Sequence, residues 1–157
     1  AVHHEIAMRA IAAGVDVLVE KPLTDSLAGA RAVVDAADRA GVLVQVGHLE
    51  RFNPAVRAML ALIDKPRFIE CDRLAPFGER GTDVDVVRDL MIHDLDVILS
   101  CVPGEVERIE AVGIPVLSSN VDIANARLRF AGGCIANLTA SRVALKRERK
   151  IRLFQAD

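Results

Sequence analysis

The sequence predicts an α/β protein in which the C-terminal part of a doubly wound parallel sheet is followed by an α+β region with a largely antiparallel, open sheet. Three patterns support this prediction. Helix and strand patterns alternate with short joints over residues 1–48, as in a βαβ array. Strand patterns dominate residues 106–154. Gly132-Gly133 separates two of these strands, as in a β-hairpin.

The first region contains two helix–strand pairs. Apolar residues recur at helical spacing over residues 6–13, and Gly14 predicts the end of this helix because glycine readily adopts a positive φ. Residues 15–20 form an apolar, β-branched run, which is typical of a strand buried on both faces of a parallel sheet. The second pair has the same order, with a helix from the N-cap Thr24 through Ala40 to Gly41 and a strand over residues 42–46.

The second region is predicted to contain two helices and five strands. The first helix covers residues 52–63, and a longer helix covers residues 86–102 before Pro103-Gly104. The predicted strands cover residues 67–73, 106–112, 121–130, 134–143 and 149–154.

The chain is expected to be a segment of a longer protein. Two strands and two helices do not complete a doubly wound sheet, and the sequence contains no GxGxxG phosphate-binding loop. The first residue is Ala1 rather than Met, and the sequence stops at Asp157, shortly after a predicted strand. We place the domain boundary near residues 48–53, so that domain 1–49 lacks its beginning and domain 50–157 lacks its end.

The composition argues against several classes of protein. Hydrophobic residues make up 52% of the 157 residues and the net charge is −2, which together exclude an intrinsically disordered chain. The 20 Lys and Arg residues nearly balance the 22 Asp and Glu residues, so no field of one sign favours a nucleic-acid partner. Aromatic residues make up only 3%, without Trp or Tyr, which disfavours a sugar or base site built from stacked rings.

Cysteine usage and the length of the apolar runs predict a soluble, cytoplasmic protein. Cys71, Cys101 and Cys134 are odd in number and widely spaced, so neither a disulfide framework nor a zinc knuckle is indicated. The longest apolar runs fall well short of the ~18 residues that indicate a membrane span, and no signal-peptide pattern occurs. We therefore expect no membrane partner.

Polar residues follow both predicted strands of the first region. Glu20-Lys21-Pro22 follows the first strand, and Gly47-His48 follows the second. Ligands of open parallel sheets bind beyond the carboxyl ends of the strands, so a cation and an imidazole are predicted where a ligand would lie. The alternative is that Lys21 lies in an ordinary solvated turn.

The long helix of the second region carries a polar stripe. At about 100° per residue, five of its residues fall within one arc of roughly 80°. They are Asp85, Asp89, His93, Asp96 and Ser100. Solvent exposure is one interpretation, but exposed faces usually carry Lys and Glu pairs rather than short carboxylates around one His. A hydrogen bond from His93 to Asp89 would fix the imidazole tautomer, whereas Asp94 lies outside the stripe and is predicted to be structural.

The remaining polar clusters favour neither a metal nor a phosphate site. His93, Asp89 and Asp96 lack an HExxH pattern, and the adjacent His3 and His4 cannot share a helix face, so no metal is predicted. Six basic residues occur near the end of the chain: Arg142, Lys146, Arg147, Arg149, Lys150 and Arg152. A solvated sheet edge explains this run best, and contact with a phosphorylated substrate or nucleic acid is the alternative.

Four segments occur in the order typical of one enzyme family: HHEIAMRAIAAGVDVLVEKPLTDS, GVLVQVGHLERFNPA, RDLMIHDLD and ARLRFAGGCIANLTASR. Their EKP, R-F-x-P and D-x-x-x-H-x-x-D motifs resemble those of the glucose–fructose oxidoreductase / inositol dehydrogenase / MocA family. The resemblance covers essentially the whole chain. The segments PFGERGTDVDVV and VDIANARLRF are most similar to members that act on nucleotide-activated amino sugars.

The resemblance implies a Rossmann domain that binds NAD or NADP, followed by a domain whose open sheet faces the substrate and often a neighbouring subunit. Residues 1–49 are then the C-terminal part of the dinucleotide-binding domain, and residues 50–157 form the substrate-binding and oligomerisation domain of a homo-oligomer. The implied reaction is hydride transfer between a nicotinamide and a secondary alcohol of a sugar, nucleotide sugar or cyclitol. The segment alone is expected to be inactive. The alternative is a non-catalytic, ligand- or NAD(P)-sensing regulatory protein.

The family's motifs also identify candidate site residues. Lys21 matches the EKP lysine near the nicotinamide, and Asp89 and His93 match the D-x-x-x-H pair, so these three are the predicted catalytic residues. Met91 stands where many members have Gly, which leaves Asp89 and His93 in register. The predicted cofactor-binding residues are His3, Glu20, Lys21, Pro22, Gly47, His48 and Arg51. This function requires Lys21 and His93 to face one cleft.

Overall fold

The computed structural model describes residues 2–78 and 84–156. The chain divides into two compact units, Ala1–Leu49 and Glu50–Asp157, which we describe separately. Residues 79–83, which belong to the segment PFGERGTDVDVV, lie outside the described residues. No helix in the described ranges is long and apolar enough to cross a membrane.

The first unit packs two helices against a two-stranded parallel sheet. Strand β1 (Val17–Val19) pairs in parallel with β2 (Val44–Val46). Helix α1 (His3–Ala12) precedes β1, and α2 (Leu27–Ala40) connects the two strands. Both helices are followed by the predicted left-handed glycines, Gly14 with φ 72° and Gly41 with φ 65°. The core consists of Ala7, Ile11, Val19, Val33, Ala36 and Ala37.

Two details of the first unit differ from the prediction. Ser26 rather than Thr24 caps α2, because its Oγ accepts the Gly29 N–H at 3.1 Å. Thr24 Oγ1 instead donates to the Ser26 carbonyl at 2.6 Å, which stabilises the turn before the helix. Strand β1 is also not buried on both faces. Successive side chains of a strand alternate between its faces, and Leu18 is 70% exposed while Val19 packs into the core.

The second unit contains a five-stranded sheet and helical segments. A 3₁₀ turn (Leu49–Phe52) leads into α3 (Pro54–Leu60), whose N-cap Asn53 accepts the Ala55 N–H at 3.0 Å. A π-helical turn (Val87–Met91) precedes α4 (Ile92–Cys101), in place of one predicted α-helix. The strands are β3 (Pro66–Leu74), β4 (Val106–Ile114), β5 (Ile123–Phe130), β6 (Ile135–Ser141) and β7 (Glu148–Gln155).

The five-stranded sheet is largely antiparallel, as predicted. The strand order is β4-β5-β6-β3-β7, and only the β3–β6 pairing within this sheet is parallel. One face packs against the π-helical turn and α4, where Ile69, Leu138 and Phe130 of the sheet share a core with Met91 and Ile98. Together with the parallel sheet of the first unit, this architecture confirms the predicted fold class.

The turn between β5 and β6 is longer than the predicted two-residue hairpin turn. The Gly133 N–H donates to the Phe130 carbonyl at 2.8 Å, and the Phe130 N–H donates to the Cys134 carbonyl at 2.9 Å. Gly133 has φ 82°, whereas Gly132 does not have a positive φ. This pattern fits a three-residue loop in which a turn is followed by a left-handed glycine, not a type I′ turn that needs two.

Arg142 is buried rather than part of a solvated edge. Its Nε donates to Asp122 Oδ1 at 2.7 Å, and its Nη1 donates to the Val84 carbonyl at 2.7 Å. Asp122 also accepts the backbone N–H groups of residues 116–118 at 2.8, 2.7 and 2.9 Å. Burial raises the pKa of Asp122, but hydrogen bonds from the Ser118 side chain, these N–H groups and Arg142 outweigh burial and hold it well below its usual range.

Candidate active site

The carboxyl ends of β1 and β2 carry the candidate site residues of the first unit. The Gly47 N–H donates to the Val19 carbonyl at 2.7 Å, so the two strand ends lie side by side. A Cβ added to Gly47 would lie 3.2 Å from Glu20 Oε2. The structure therefore brings Glu20 and Gly47, two of the predicted cofactor-binding residues, within contact distance.

His3 anchors the segment that contains Lys21. Its Nδ1 lies 2.8 Å from the Pro22 carbonyl oxygen. A carbonyl only accepts, so Nδ1 carries the proton and donates it. The Lys21–Pro22 peptide bond is cis, and Lys21 and His48 are both half-buried. The predicted cofactor residues His3 and Pro22 thus contact each other, while their contact with a cofactor stays a prediction.

The π-helical turn and the start of α4 carry the candidate site residues of the second unit. Asp89 lies within the π-helical turn and His93 in the first turn of α4, and both are half-buried. Because a π-helix bonds residue i to i+5, the spacing of side chains here differs from the regular α-helix of the sequence analysis. The hydrogen bond between Asp89 and His93 stays a prediction. Single π-helical turns are frequent at functional sites.

The two ends of the predicted polar stripe have local structural contacts. Asp85 accepts the Arg88 N–H at 2.8 Å and Arg88 Nε at 2.6 Å. Burial raises the pKa of Asp85, but these two bonds outweigh burial and lower it. At the other end, Ser100 is exposed and donates to the Val97 carbonyl at 2.7 Å. Asp85 therefore acts as a cap of the π-helical turn.

Asp96, a further member of the stripe, is buried in an ion pair. Arg51 Nε and Nη2 donate to its two carboxylate oxygens, both at 2.7 Å. This bidentate contact ties the 3₁₀ turn to α4 and uses the guanidinium that was predicted to bind the cofactor. The cofactor contact of Arg51 stays a prediction. Of the stripe, Asp89 and His93 remain the candidates for chemistry.

Asp94 has the structural role that the sequence predicts. It is buried, and Arg73 Nε and Nη2 donate to its two oxygens, both at 2.8 Å. Arg73 Nη1 also lies 3.5 Å from Glu50 Oε1, and Arg149 Nη1 lies 3.2 Å from the same oxygen. A network of charged side chains therefore extends from α4 across β3 to β7.

Glu50 is a half-buried charged residue of the second unit whose role was not predicted from the sequence. Burial raises its pKa, but the Asn53 hydrogen bond and the charges of Arg73, Arg149 and His93 together lower it. The carboxylate of Glu50 therefore stays ionised at neutral pH. Neither residue type nor local spacing predicts that Glu50 pairs with Arg149, because the two residues are 99 positions apart in the chain.

The second unit has the groups that proton transfer needs. His93 is a half-buried imidazole in the first turn of α4, and a neutral imidazole can accept a proton from a substrate near neutral pH. Within the described ranges, no group of three or more His, Cys, Asp or Glu side chains is placed to hold a metal ion. The predicted cofactor residues lie mostly at the β1–β2 edge, where ligands of parallel sheets bind.

Two family models match the chain. Residues 1–48 match a model described as the oxidoreductase family with an NAD-binding Rossmann fold. Residues 56–155 match the GFO/IDH/MocA C-terminal domain.

Known proteins are similar over the same residues. UDP-N-acetylglucosamine 3-dehydrogenase of Acidithiobacillus ferrooxidans is 38% identical over 156 residues, which are 99% of this chain and 50% of that protein. A solved structure of that enzyme matches with a TM-score of 0.93, covering 99% of this chain and 50% of its own. Inositol 2-dehydrogenase of Pseudomonas fluorescens is 38% identical over 103 residues, which are 61% of this chain and 31% of that protein.

The chain spans half or less of the length of these two curated relatives. The C-terminal domain model nevertheless matches most residues of this chain, and the similarity to the UDP-N-acetylglucosamine 3-dehydrogenase extends over nearly all of them. The chain belongs to the GFO/IDH/MocA family of oxidoreductases.

Proposed function

We propose that the protein is an NAD(P)-dependent dehydrogenase that transfers a hydride between a secondary alcohol of a sugar, nucleotide sugar or cyclitol and a nicotinamide cofactor. The observation that carries this proposal is the similarity to family dehydrogenases along the whole chain. In this proposal, residues 1–49 are the C-terminal part of the dinucleotide-binding domain and residues 50–157 bind the substrate. Lys21, Asp89 and His93 are the proposed catalytic residues.

The residues at the β1–β2 edge fit a nicotinamide dinucleotide. A Cβ added to Gly47 would lie 3.2 Å from Glu20 Oε2, so the absence of a side chain lets these two residues pack against each other at the strand ends. His3 holds the segment after β1 through the Pro22 carbonyl. When bound, NAD or NADP supplies the hydride acceptor. The residues proposed to hold it are His3, Glu20, Lys21, Pro22, Gly47, His48 and Arg51.

His93 is proposed to act as the general base of the reaction. Its imidazole would take the proton of the substrate hydroxyl, and Asp89 would orient the ring. Lys21 would donate a hydrogen bond to the same substrate oxygen and stabilise the negative charge that develops there. These roles require one substrate oxygen to reach both Lys21 and His93.

A nucleotide sugar is the substrate class that the similarities favour. The relative that matches 99% of the chain is named for UDP-N-acetylglucosamine, whereas the inositol dehydrogenase matches 61%. The chain has no Trp or Tyr, so its side chains would hold the sugar mainly by polar contacts.

A second copy of the protein is proposed to cover the open face of the five-stranded sheet. This face carries exposed side chains of β5, such as Asn125 and Arg127, and an ion pair of 2.8 Å between Arg152 and Glu70. A cavity of about 630 Å³ lies along it. Polar and charged groups of both signs can complement a second, identical face.

Hydride transfer by the complete gene product tests the proposed function. NAD⁺ and NADP⁺ are each offered with UDP-sugars, hexoses and inositols, and the reduced nicotinamide is followed by its absorbance. We expect His93→Ala to lower kcat by about 10²- to 10⁴-fold, because the general base is lost. Cofactor affinity should be nearly unchanged, since the base acts on the substrate hydroxyl.

Leu99→Ala is the matched control for this experiment. Leu99 is an exposed residue of the same helix, and the variant should keep full activity. Absence of cofactor reduction with every substrate would contradict the dehydrogenase function. A fully active His93→Ala variant would instead remove His93 from the mechanism.

A further inference from the structure

A buried ion pair lies at one end of the five-stranded sheet. Asp122 directly precedes β5 and Arg142 directly follows β6, and the ends of these antiparallel strands, Ile123 and Ser141, are register partners. Arg142 Nε donates to Asp122 Oδ1 at 2.7 Å, and the Arg142 backbone N–H donates to the Asp122 carbonyl at 3.0 Å. Both side chains are buried. Arg142 is therefore fixed to the end of the sheet by its side chain and by its backbone.

The same end of the sheet holds the segment that leads into the π-helical turn. Arg142 Nη1 donates to the Val84 carbonyl at 2.7 Å. Two residues further along the chain, the Val86 N–H donates to the Val121 carbonyl at 2.9 Å. The side chain of Val86 is fully buried in the core of the second unit. The segment is thus bound on both sides of Asp85, immediately before the turn begins.

Hydrogen bonds within the turn connect this segment to Asp89. The Asp85 carbonyl accepts the Asp89 N–H at 3.1 Å, and the Asp85 carboxylate accepts the Arg88 N–H at 2.8 Å. A displacement of Asp85 would therefore also displace Asp89. The position of Asp89 depends in this way on the contacts that hold the preceding segment to the sheet.

Helix α4, which carries His93, is anchored by a different ion pair. Asp94, the residue after His93, accepts two hydrogen bonds from the buried Arg73 of β3, both at 2.8 Å. The pair at the end of the sheet shares no residue with this one. Loss of the pair at the sheet end should therefore displace the π-helical turn while α4 stays in place, which changes the position of Asp89 relative to His93.

We infer that the Asp122–Arg142 pair is a positioning element of the proposed active site. It fixes the start of the π-helical turn and so sets the distance and direction from Asp89 to His93. This role rests on the proposed function, in which Asp89 orients the His93 ring. Arg142 acts through the Val84 carbonyl and is not itself a catalytic residue.

Arg142→Lys in the complete gene product tests this role. The three guanidinium nitrogens each donate to a different partner, Asp122, Val84 and Ser118, whereas a lysine keeps the charge but has all its donors on one nitrogen. We expect kcat to fall by about 10- to 10²-fold, because small misplacements near reacting groups have effects of this size. The KM for the nicotinamide cofactor should change by less than about twofold, since Arg142 bonds to no residue proposed to hold the cofactor.

Ser118→Ala is the matched control. Ser118 Oγ donates to Asp122 Oδ1 at 2.7 Å and accepts from Arg142 Nη2 at 3.2 Å, so the variant weakens the same network but leaves the bond from Arg142 to Val84 in place. It should lower the stability and leave kcat within about twofold of the wild type. An equal loss of kcat in both variants, or an unchanged kcat in Arg142→Lys, would overturn the proposal.

Amide hydrogen exchange of the wild-type protein gives a test that requires neither activity nor a folded variant. Groups that open together exchange with similar protection, so the N–H groups of Val86, Asp89 and Arg142 should have protection factors within about tenfold of one another. Where Arg142→Lys folds, protection at Asp89 should fall by about tenfold or more relative to the strands of the sheet. An Asp89 N–H that is far less protected than that of Arg142 in the wild type would show that the turn opens independently of the pair, which contradicts the proposal.

The two measurements separate this inference from the proposed function. Matched protection of the three N–H groups in a protein that turns over no substrate would refute the dehydrogenase function and leave the anchoring of the turn standing. Turnover with an unchanged kcat in Arg142→Lys would refute the positioning role and leave the dehydrogenase function standing.

Discussion

Loss of the Asp94 charge should strongly destabilise the second unit. The side chains of Arg73 and Asp94 are only 7% and 6% exposed, and the two hydrogen bonds between them are both 2.8 Å. In Asp94→Asn, the carboxylate of Glu50 still lies 3.5 Å from the buried guanidinium. Removing one partner of a buried pair costs about 3–5 kcal/mol, and Glu50 places the expected loss near the lower end, at about 3 kcal/mol.

Thermal and urea unfolding measure this loss. For a unit of about this size, 3 kcal/mol corresponds to a fall in Tm of about 12 °C or more. The control is Arg108→Gln, which breaks an ion pair with Glu110 whose side chains are 70% and 55% exposed. An exposed pair of this kind contributes less than about 1 kcal/mol.

The double variant Arg73→Met/Asp94→Leu separates the charge effect from the loss of packing. It removes both charges and should recover most of the lost stability, because a buried ion pair adds little over apolar side chains of similar size. An Asp94→Asn variant as stable as the Arg108→Gln control, or a double variant less stable than Asp94→Asn, would refute this reasoning.

Two further predictions concern packing and acid stability. Gly113→Ala should lower the free energy of unfolding, measured in urea, by about 1–3 kcal/mol, because the new Cβ would lie 2.8 Å from Val121 Cγ1. In a Val121→Ala background this loss should disappear, since the clashing methyl group is absent. The pKa of Asp122 in the folded protein lies below its unfolded value of about 3.9. The ionised carboxylate therefore stabilises the folded state above about pH 3.9, and this stabilisation is lost as pH falls through the folded pKa. Asp122→Asn should thus be less stable than the wild type at neutral pH. The difference in the free energy of unfolding should shrink when it is measured at successively lower pH, and a difference that stays constant would contradict this.

Signals between neighbouring residues located most of the helices and strands. Gly14 and Gly41 follow α1 and α2 with positive φ, as glycine after a helix predicts. Asn53 caps α3 just before a proline at the first helical position. Residues 121–130 were predicted as a strand, and burial alternates along β5 as side chains of a strand do. These features depend on residues a few positions apart, so sequence alone reports them.

Contacts between distant residues were not predicted. Arg142 pairs with Asp122 over 20 residues, and Arg51 pairs with Asp96 over 45 residues. The local pattern around a charged residue does not reveal whether that residue faces water or a buried partner, so Arg142 was predicted at a solvated sheet edge and the ion pair of Asp96 was not predicted. The π-helical turn was missed for a similar reason, because the residues of Val87–Met91 carry an ordinary helical pattern.

The candidate site residues also include some that sequence motifs identify and others that only the folded structure reveals. Lys21, Asp89 and His93 were identified from motifs, and their chemical roles stay predictions. Glu50 and Arg73, which contact each other and surround the start of α4 with charge, lie in separate parts of the sequence and carry no motif. Local pattern therefore finds candidate chemical groups, whereas the electrostatic surroundings of these groups depend on the folded sheet.

The position of β3 in its sheet has a consequence for biosynthesis. Its neighbours are β6 and β7, which begin 61 or more residues after β3 ends, so Pro66–Leu74 leaves the ribosome long before either hydrogen-bonding partner exists. Both edges of β3 stay open during translation until Ile135–Ser141 and Glu148–Gln155 have been made. A ribosome that stalls before Glu148 would release a chain in which β3, with Arg73 on it, is an outer strand instead of an inner one.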